Sequence, residues 1–267
     1  MCSSDLVKYH VAKGLITSGL NVIDIGLALS PMVYYAQHYL NTDSLAMITA
    51  SHNENGWTGI KCGIEKSLTF GPDEVSEIKK RLRLIQQMGG KDKIKRQHDA
   101  GRTTVRERIL SLLDKNSFKE IGSLTGSSEY DLEGNLKSLL PANSVIGHGT
   151  INNAPVAIYG DDFTVRGGAA DAAIWEKSVA AERFANEYRI PLIRLIEGTG
   201  GGGSVKSIEM DGYTYVPANP GWDWVVSNMA TIPVVSLGLG PVAGLGAARL
   251  VSSHYSVIIK KISQVFV

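Results

Sequence analysis

Short apolar runs that end at glycine, proline or asparagine turns, several of them separated by helix-length stretches, set the limits on what this chain can fold into. Val145–Gly147, Val156–Tyr159, Leu192–Ile196, Val234–Leu237 and Ser256–Ile259 are such runs. Helical stretches at Ala169–Tyr188 and around Gly221–Met229 lie between several of them, which predicts a layered α/β domain with crossover helices. An earlier group of runs, Asn21–Leu29 (NVIDIGLAL) and Leu45–Thr49 (LAMIT), reads as two buried strands. Pro31–Leu40 lies between them and reads as a helix with proline in its first turn. Pro72–Leu84 reads as a second helix, acidic at its start and basic at its end, as the helix dipole favours. The order β-α-β-α predicts a small doubly wound α/β piece ahead of the larger α/β domain.

Composition excludes several classes. The 27 Lys and Arg nearly balance the 26 Asp and Glu, a net charge of +1, which argues against a nucleic-acid partner. No apolar run approaches the roughly 18 residues of a membrane span. The start shows no secretory signal. Two cysteines, Cys2 and Cys62, make neither a disulfide framework nor a metal cage, so a cytoplasmic location is expected. Glycine is high, 29 of 267 residues, which points to close backbone approaches or ligand-facing loops. The Lys91–Arg108 stretch holds seven basic and three acidic residues. It is either a solvated helix face or a set of phosphate contacts. One back-translation of Cys2–Leu6 matches the end of a common sequencing adapter, so residues 1–6 are expected to be a non-native leader.

Two loops carry chemistry. Thr49–Lys61 (TASHNENGWTGIK) puts a serine after a buried strand with His, two Asn and glycines around it. Such a loop can expose a hydroxyl among donors, as phosphoryl transfer needs, although a polar turn would read the same way. The loop resembles the active-site signature of the phosphohexomutases, phosphoglucomutase and phosphomannomutase. GLITSGLNVIDIGLALSPMVYY upstream resembles that family's first domain. The resemblance implies Ser51 as the phosphoserine, His52 and Asn53 flanking it, and Lys61 holding phosphate charge. Glu54 stands where the family has proline, and Thr58–Gly59 where it has Asn-Gly. Magnesium is the family's metal, but its Asp-x-Asp-x-Asp loop is absent from this sequence, which implies an inactive site.

In the second part, Gly167–Ala170 (GGAA), Gly198–Ser204 (GTGGGGS) and Gly238–Ala248 (GLGPVAGLGAA) read as glycine turns. None is a P-loop or a dinucleotide fingerprint. Two follow apolar strands, where backbone N–H groups can be aimed at one point as an oxyanion hole; a flexible loop is the alternative for Gly200–Gly203. MGGKDKIKRQHDAGRTTVRERILSLLD, GHGTINNAPVAIYGDDFTVRGGAA and PVVSLGLGPVAGLGAARLVSSHYSVII resemble successive blocks of the carboxyltransferase β-type subunit of biotin-dependent acyl-CoA carboxylases. The resemblance implies a crotonase-like (ClpP/crotonase spiral) α/β domain, the N-terminal half of that subunit. It implies carboxyl transfer from carboxybiotin to acyl-CoA through an enolate held by backbone N–H groups. By motif, one donor falls at Gly200–Gly201 and the other at Ala243–Gly244, with Gly167 and Gly168 on the CoA side. The family has Asp-Ser-Gly-Gly-Ala-Arg where this chain has Glu197–Gly203. Arg102, Arg106 and Arg108 are candidates for phosphate contact or for structural ion pairs, and His98 and His148 for structure.

The resemblances imply a composite of residues 1–6 (leader), 7–84 (phosphohexomutase domain I type) and 85–267 (carboxyltransferase N-terminal type, truncated). Biotin is expected on a separate carrier protein, since no Met-Lys-Met motif is present. The implied partners are acyl-CoA, a biotin carboxylase or biotin carrier subunit, and further copies of the chain. Location in the mitochondrial matrix is the eukaryotic counterpart. The isolated chain is expected to lack turnover. The alternatives are phosphosugar mutase chemistry at Ser51 and a non-catalytic CoA-binding or assembly module.

Overall fold

The computed structural model describes residues 3–50, 57–169, 174–198, 208–210, 212–213 and 220–266. They fall into two compact units, Met1–Lys79 and Lys80–Val267, with the division inside one helix, Pro72–Gln86.

The first unit holds helices α1 (Ser3–Thr17) and α2 (Ser30–Tyr39), strands β1 (Leu45–Thr49) and β2 (Gly59–Gly63), and the start of α3 (Pro72–Gln86). Residues 3–6, expected to be leader, are the opening of α1. Helix α2 begins with proline in its first turn, where a missing N–H costs nothing. Glu74 caps α3 by accepting from the Gly71 N–H at 2.7 Å.

Among the described residues the expected doubly wound layer is not formed. β1 and β2 pair antiparallel, from Leu45 opposite Gly63 to Thr49 opposite Gly59. The physical reason is that Leu45–Thr49 lacks its expected partner strand and pairs instead with Gly59–Gly63, across a connection, residues 50–58, shorter than the dozen or so that a parallel crossover needs. Asn21–Leu29 is not a strand either. Asp24 Oδ1 accepts the Gly26 N–H at 2.9 Å, Gly26 sits at φ +76°, and Lys8 holds the other carboxylate oxygen at 2.9 Å. That side-chain turn interrupts the extended run, and Leu27 and Leu29 stay exposed.

The second unit is built on one mixed sheet. Its elements are α4 (Lys91–Asp99), α5 (Val105–Leu112), β3 (Lys119–Ile121), the hairpin β4 (Gly126–Tyr130)–β5 (Leu136–Pro141), β6 (Ser144–Ile151), β7 (Ala154–Asp161), α6 (Trp175–Tyr188), β8 (Leu192–Gly198), α7 (Trp222–Thr231), β9 (Val234–Ala243), α8 (Leu245–Val251), β10 (Tyr255–Ile258) and β11 (Gln264–Phe266). Sheet order is β10-β9-β8-β7-β6-β3, with β11 also paired to β9. Strands β7, β8, β9 and β10 run parallel, while β6 and β3 are antiparallel to their neighbours.

Parallel strands covered on both faces must be apolar on both, which is why their sequence runs are continuous. Val156 and Ile158 of β7 pack with Val105, Ile109 and Leu195 on the α5 side. Ala157 and Tyr159, one residue out of phase, pack with Ala181, Ala185 and Val234 on the α6 side. Helix α5 starts at a capping box in which Thr104 and Glu107 satisfy each other's backbone N–H groups.

Two expectations shift here. Strand β9 does not stop at Leu237 but continues through Gly238, Gly240 and Pro241 to Ala243, so the first half of the expected 238–248 glycine turn is strand. Gly240 is required for space: a Cβ there would lie 2.4 Å from Glu197 Oε1. Helix α6 begins at Trp175, with Ala169 extended, rather than at Ala169.

Candidate active site

The C-terminal ends of β7, β8 and β9 lie side by side at one edge of the second unit, at Asp161, Gly198 and Ala243. In parallel α/β sheets this edge is where ligands bind, because the turns that leave it are free to vary while the strands hold them.

Among the described residues, two glycine turns and the glycine that ends β8 meet there. Arg166, Gly167 and Gly168 are consecutive left-handed residues at φ +55°, +64° and +69°, and they fold the chain after β7 back onto the sheet. Gly168 touches the end of β8 so closely that a Cβ on it would lie 2.8 Å from Gly198 Cα. Asn143 Nδ2 donates to the Ala169 carbonyl at 2.8 Å and pins the far end of this turn. Gly198 is in turn opposite Val242, which brings Ala243 and Gly244 beside it. Gly244 takes φ +53°, ψ −121° and caps α8. Its N–H is not open to solvent, since it donates to the Phe266 carbonyl of β11 at 3.2 Å.

A buried carboxylate sets the geometry between β8 and β9. Ile196 pairs with Gly238 and Gly198 with Val242, so the single residue Glu197 faces three, Leu239, Gly240 and Pro241. Such a bulge re-aims the strand end. The Glu197 carboxylate, 1% exposed, accepts Gln97 Nε2 on both oxygens at 2.8 Å and pairs with Arg102 at 3.0 Å and Arg108 at 2.5 Å. Arg108 also donates to the Leu239 carbonyl at 3.2 Å, tying the bulge to α5.

On the opposite side, Asp161 is half-buried between Tyr159 and the backbone of β8. Its Oδ1 accepts a very short bond from the Tyr159 hydroxyl, and its Oδ2 accepts the Glu197 N–H at 3.1 Å. Burial pushes its carboxyl up to about 6, only partly offset by the Tyr159 hydrogen bond and the Arg249 charge. Burial and the Asp161 charge likewise push the Tyr159 phenol up.

The residues singled out from sequence distribute as follows. Gly167, Gly168, Ala243 and Gly244 converge on the strand ends. Gly200 and Gly201 lie outside the described residues, as do Ser51, His52 and Asn53. Lys61 is half-buried in β2 opposite Met47. Arg102 and Arg108 serve Glu197, and Arg106 is bidentate to Glu120 at 2.8 and 3.2 Å, so all three are ion-pair residues here. His98 contacts the Glu107 carboxylate at 3.0 Å, and His148 stacks on Phe184. Sequence reasoning missed Asn143, Tyr159, Asp161, Glu197 and Arg249. The only local signal was an acidic residue closing an apolar run, at Asp161 and again at Glu197. Among the described residues, no group of three or more His, Cys, Asp or Glu could hold a metal, and no helix is long and apolar enough to cross a membrane.

Residues 96–267 match the model of the carboxyl transferase domain family. The chain belongs to the carboxyl transferase domain family. Residues 2–88 match the phosphoglucomutase/phosphomannomutase α/β/α domain I model, so the chain joins parts of two families. Among relatives of the carboxyl transferase part is the biotin-dependent acetyl-/propionyl-coenzyme A carboxylase β5 subunit of Mycobacterium tuberculosis. It is 28% identical over 194 residues, 73% of this chain and 34% of the relative. The crystal structure of transcarboxylase 12S, a hexamer solved with methylmalonyl-coenzyme A and methylmalonic acid bound, superimposes with TM-score 0.57 and 26% identity. That match covers 73% of this chain and 37% of the 12S chain, and it makes the second unit's fold crotonase-type. The Pyrococcus furiosus protein named probable phosphoglucosamine mutase is 37% identical over 78 residues, 29% of this chain and 17% of the relative. The carboxyl transferase domain therefore spans about a third of the length of the carboxylase relatives.

Proposed function

We propose that residues 85–267 form an acyl-CoA-binding carboxyltransferase domain of the biotin-dependent acyl-CoA carboxylase type, corresponding to its N-terminal half. Residues 7–84 are a phosphohexomutase-type fragment. The observation that carries the reading is the meeting of the Gly167–Gly168 turn, the strand end at Gly198 and the Ala243–Gly244 turn at the ends of β7, β8 and β9. A thioester carbonyl placed at these strand ends would face the backbone N–H groups of Ala243–Gly244, and Gly200–Gly201, the other expected donor pair, lie outside the described residues. Such donors act on the charge that develops at the enolate oxygen and need no side-chain titration. In this reading Gly167 and Gly168 lie on the CoA side of the pocket. For Gly244 to donate, the Phe266 carbonyl must give up its N–H.

Carboxybiotin on its separate carrier supplies the carboxyl group and, at its ureido nitrogen, the base for the α-proton. No described residue of this chain is assigned to biotin, and this chain's part ends at binding and orienting the thioester and holding its oxyanion. Biotin carboxylase, the carrier and further copies of the chain are the partners of this reading.

The mutase reading keeps Ser51 as phosphoserine with His52, Asn53 and Lys61 around it, supported by the match over residues 2–88. Magnesium does not fit: the sequence lacks the acidic loop, and the described residues offer no three-ligand group. No step is derived through it. Calorimetry with propionyl-CoA and with glucose 1-phosphate separates the readings. Propionyl-CoA is expected to bind without carboxylated product when carboxybiotin is added. Glucose 1-phosphate binding with no response to propionyl-CoA would overturn the carboxyltransferase reading. Product formation would overturn the lack of turnover.

A further inference from the structure

We propose that Tyr159, Asp161 and Arg249 form a positioning clamp that holds the end of β8, at Glu197–Gly198, and the helix that Gly244 caps at a set separation. The proposal deepens the reading of these strand ends as the edge that receives the acyl-CoA thioester and rests on it.

The argument starts where the sheet stops. Backbone pairing between β7 and β8 ends at Gly160 opposite Leu195. One residue on, the Asp161 carboxylate takes over, accepting the Glu197 N–H at 3.1 Å. A side chain thus holds the last residues of β8. The other carboxylate oxygen holds the Tyr159 hydroxyl, and that hydroxyl accepts from Arg249 Nη1 at 3.3 Å. The Arg249 guanidinium also sits over the Tyr159 ring, 5.4 Å from its centroid. Arg249 belongs to α8, the helix that Gly244 caps. One chain of contacts therefore runs from the end of β8 to α8, the helix that Gly244 caps.

Stability alone does not call for this set. Arg249 is buried and its Nε has no hydrogen-bond partner, a cost that an aliphatic residue packed against the α8 cluster of Ile196, Val242, Ala247 and Leu250 would avoid. What a polar network adds is directionality: each bond tolerates a narrow range of distance and angle, so it defines one arrangement of the elements it joins. Both α8 and β8 are independently anchored by Arg194, which is bidentate to Glu182 and donates to the Arg249 and Ser252 carbonyls. Loss of the clamp is therefore expected to loosen the end of β8 and the start of α8 and leave the sheet intact.

Tyr159→Phe deletes the one oxygen that links Asp161 to Arg249 and keeps the ring in the core. Hydrogen exchange on the full chain without ligand is expected to show the Glu197 and Ala248 amides exchanging about five- to tenfold faster, the size of one lost hydrogen bond. The central Ala157 and Leu192 amides are expected to stay unchanged. Propionyl-CoA affinity is expected to fall by a similar factor with Tm nearly unchanged. Asp161→Asn is the second variant, for use also if Tyr159→Phe fails to fold, and the affinity losses of the two are expected to overlap rather than add. Acceleration at only one of the two amides, uniform acceleration across the sheet, or additive affinity losses would overturn the clamp. If the unsubstituted chain does not bind propionyl-CoA, the carboxyltransferase reading fails, and the exchange pattern still decides the clamp.

Discussion

Gly168→Ala tests the contact on which the site geometry turns. Two costs arise at that position. Gly168 has φ +69°, a left-handed conformation that costs an L-residue with a Cβ about 1–2 kcal/mol. The added Cβ would also lie 2.8 Å from Gly198 Cα and 3.1 Å from the Glu197 carbonyl oxygen. Both neighbours are backbone, so no side-chain rotation relieves the overlap, and overpacking of this kind costs a further ~1–3 kcal/mol. The sum is about 2–5 kcal/mol. Gly134→Ala isolates the first cost, because Gly134 has φ +83° and nothing within 4 Å of its Cβ position. Urea unfolding followed by tryptophan fluorescence should place Gly134→Ala about 1–2 kcal/mol below the unsubstituted chain and Gly168→Ala clearly lower still. Propionyl-CoA affinity should fall for Gly168→Ala and not for Gly134→Ala. Equal destabilisation of the two variants would refute the claim that the turn after β7 packs on the end of β8.

Glu197→Gln should destabilise by about 3–5 kcal/mol in the same assay, because it leaves the Arg102 and Arg108 guanidinium groups beside an uncharged side chain in a buried site. Stability should also report Asp161. Its carboxyl is raised from 3.8 to about 6 in the folded chain, so between those values the folded state holds a proton that the unfolded state has released. That contribution is full below about pH 4 and is lost as pH rises through about 6, so the urea midpoint of the unsubstituted chain relative to Asp161→Asn should fall across that window; a flat difference would count against it. Removing residues 264–267 takes away the Phe266 carbonyl that occupies the Gly244 N–H, and propionyl-CoA should then bind up to about tenfold more tightly by calorimetry.

The strands of the second unit were legible because burial on both faces writes itself into the sequence as unbroken apolar runs, as at Leu192–Ile196. Where a strand must make room, that signal fails. β9 crosses Gly238, Gly240 and Pro241, which read as a turn, and only the Glu197 carboxylate packed against Gly240 explains why they are strand. Asn21–Leu29 failed in the opposite sense. Its apolar content announced a strand, but pairing needs a partner and an uninterrupted backbone, and the Asp24–Gly26 turn interrupts it.

The sequence by itself determined that two kinds of polypeptide are joined here and that Gly167 and Gly168 lie in a turn, since motifs such as GGAA are local properties of the chain. Only the tertiary structure decided what holds those turns. Tyr159 and Arg249 are 90 residues apart, and Gln97 and Glu197 are 100 apart. Their pairing follows from parallel strands and crossover helices that bring distant segments to one sheet edge, and no spacing along the chain encodes it. Burial then does the rest. It lifts the Asp161 carboxyl and makes each hydrogen bond around Glu197 necessary, because a polar group removed from water must find its partner within the fold.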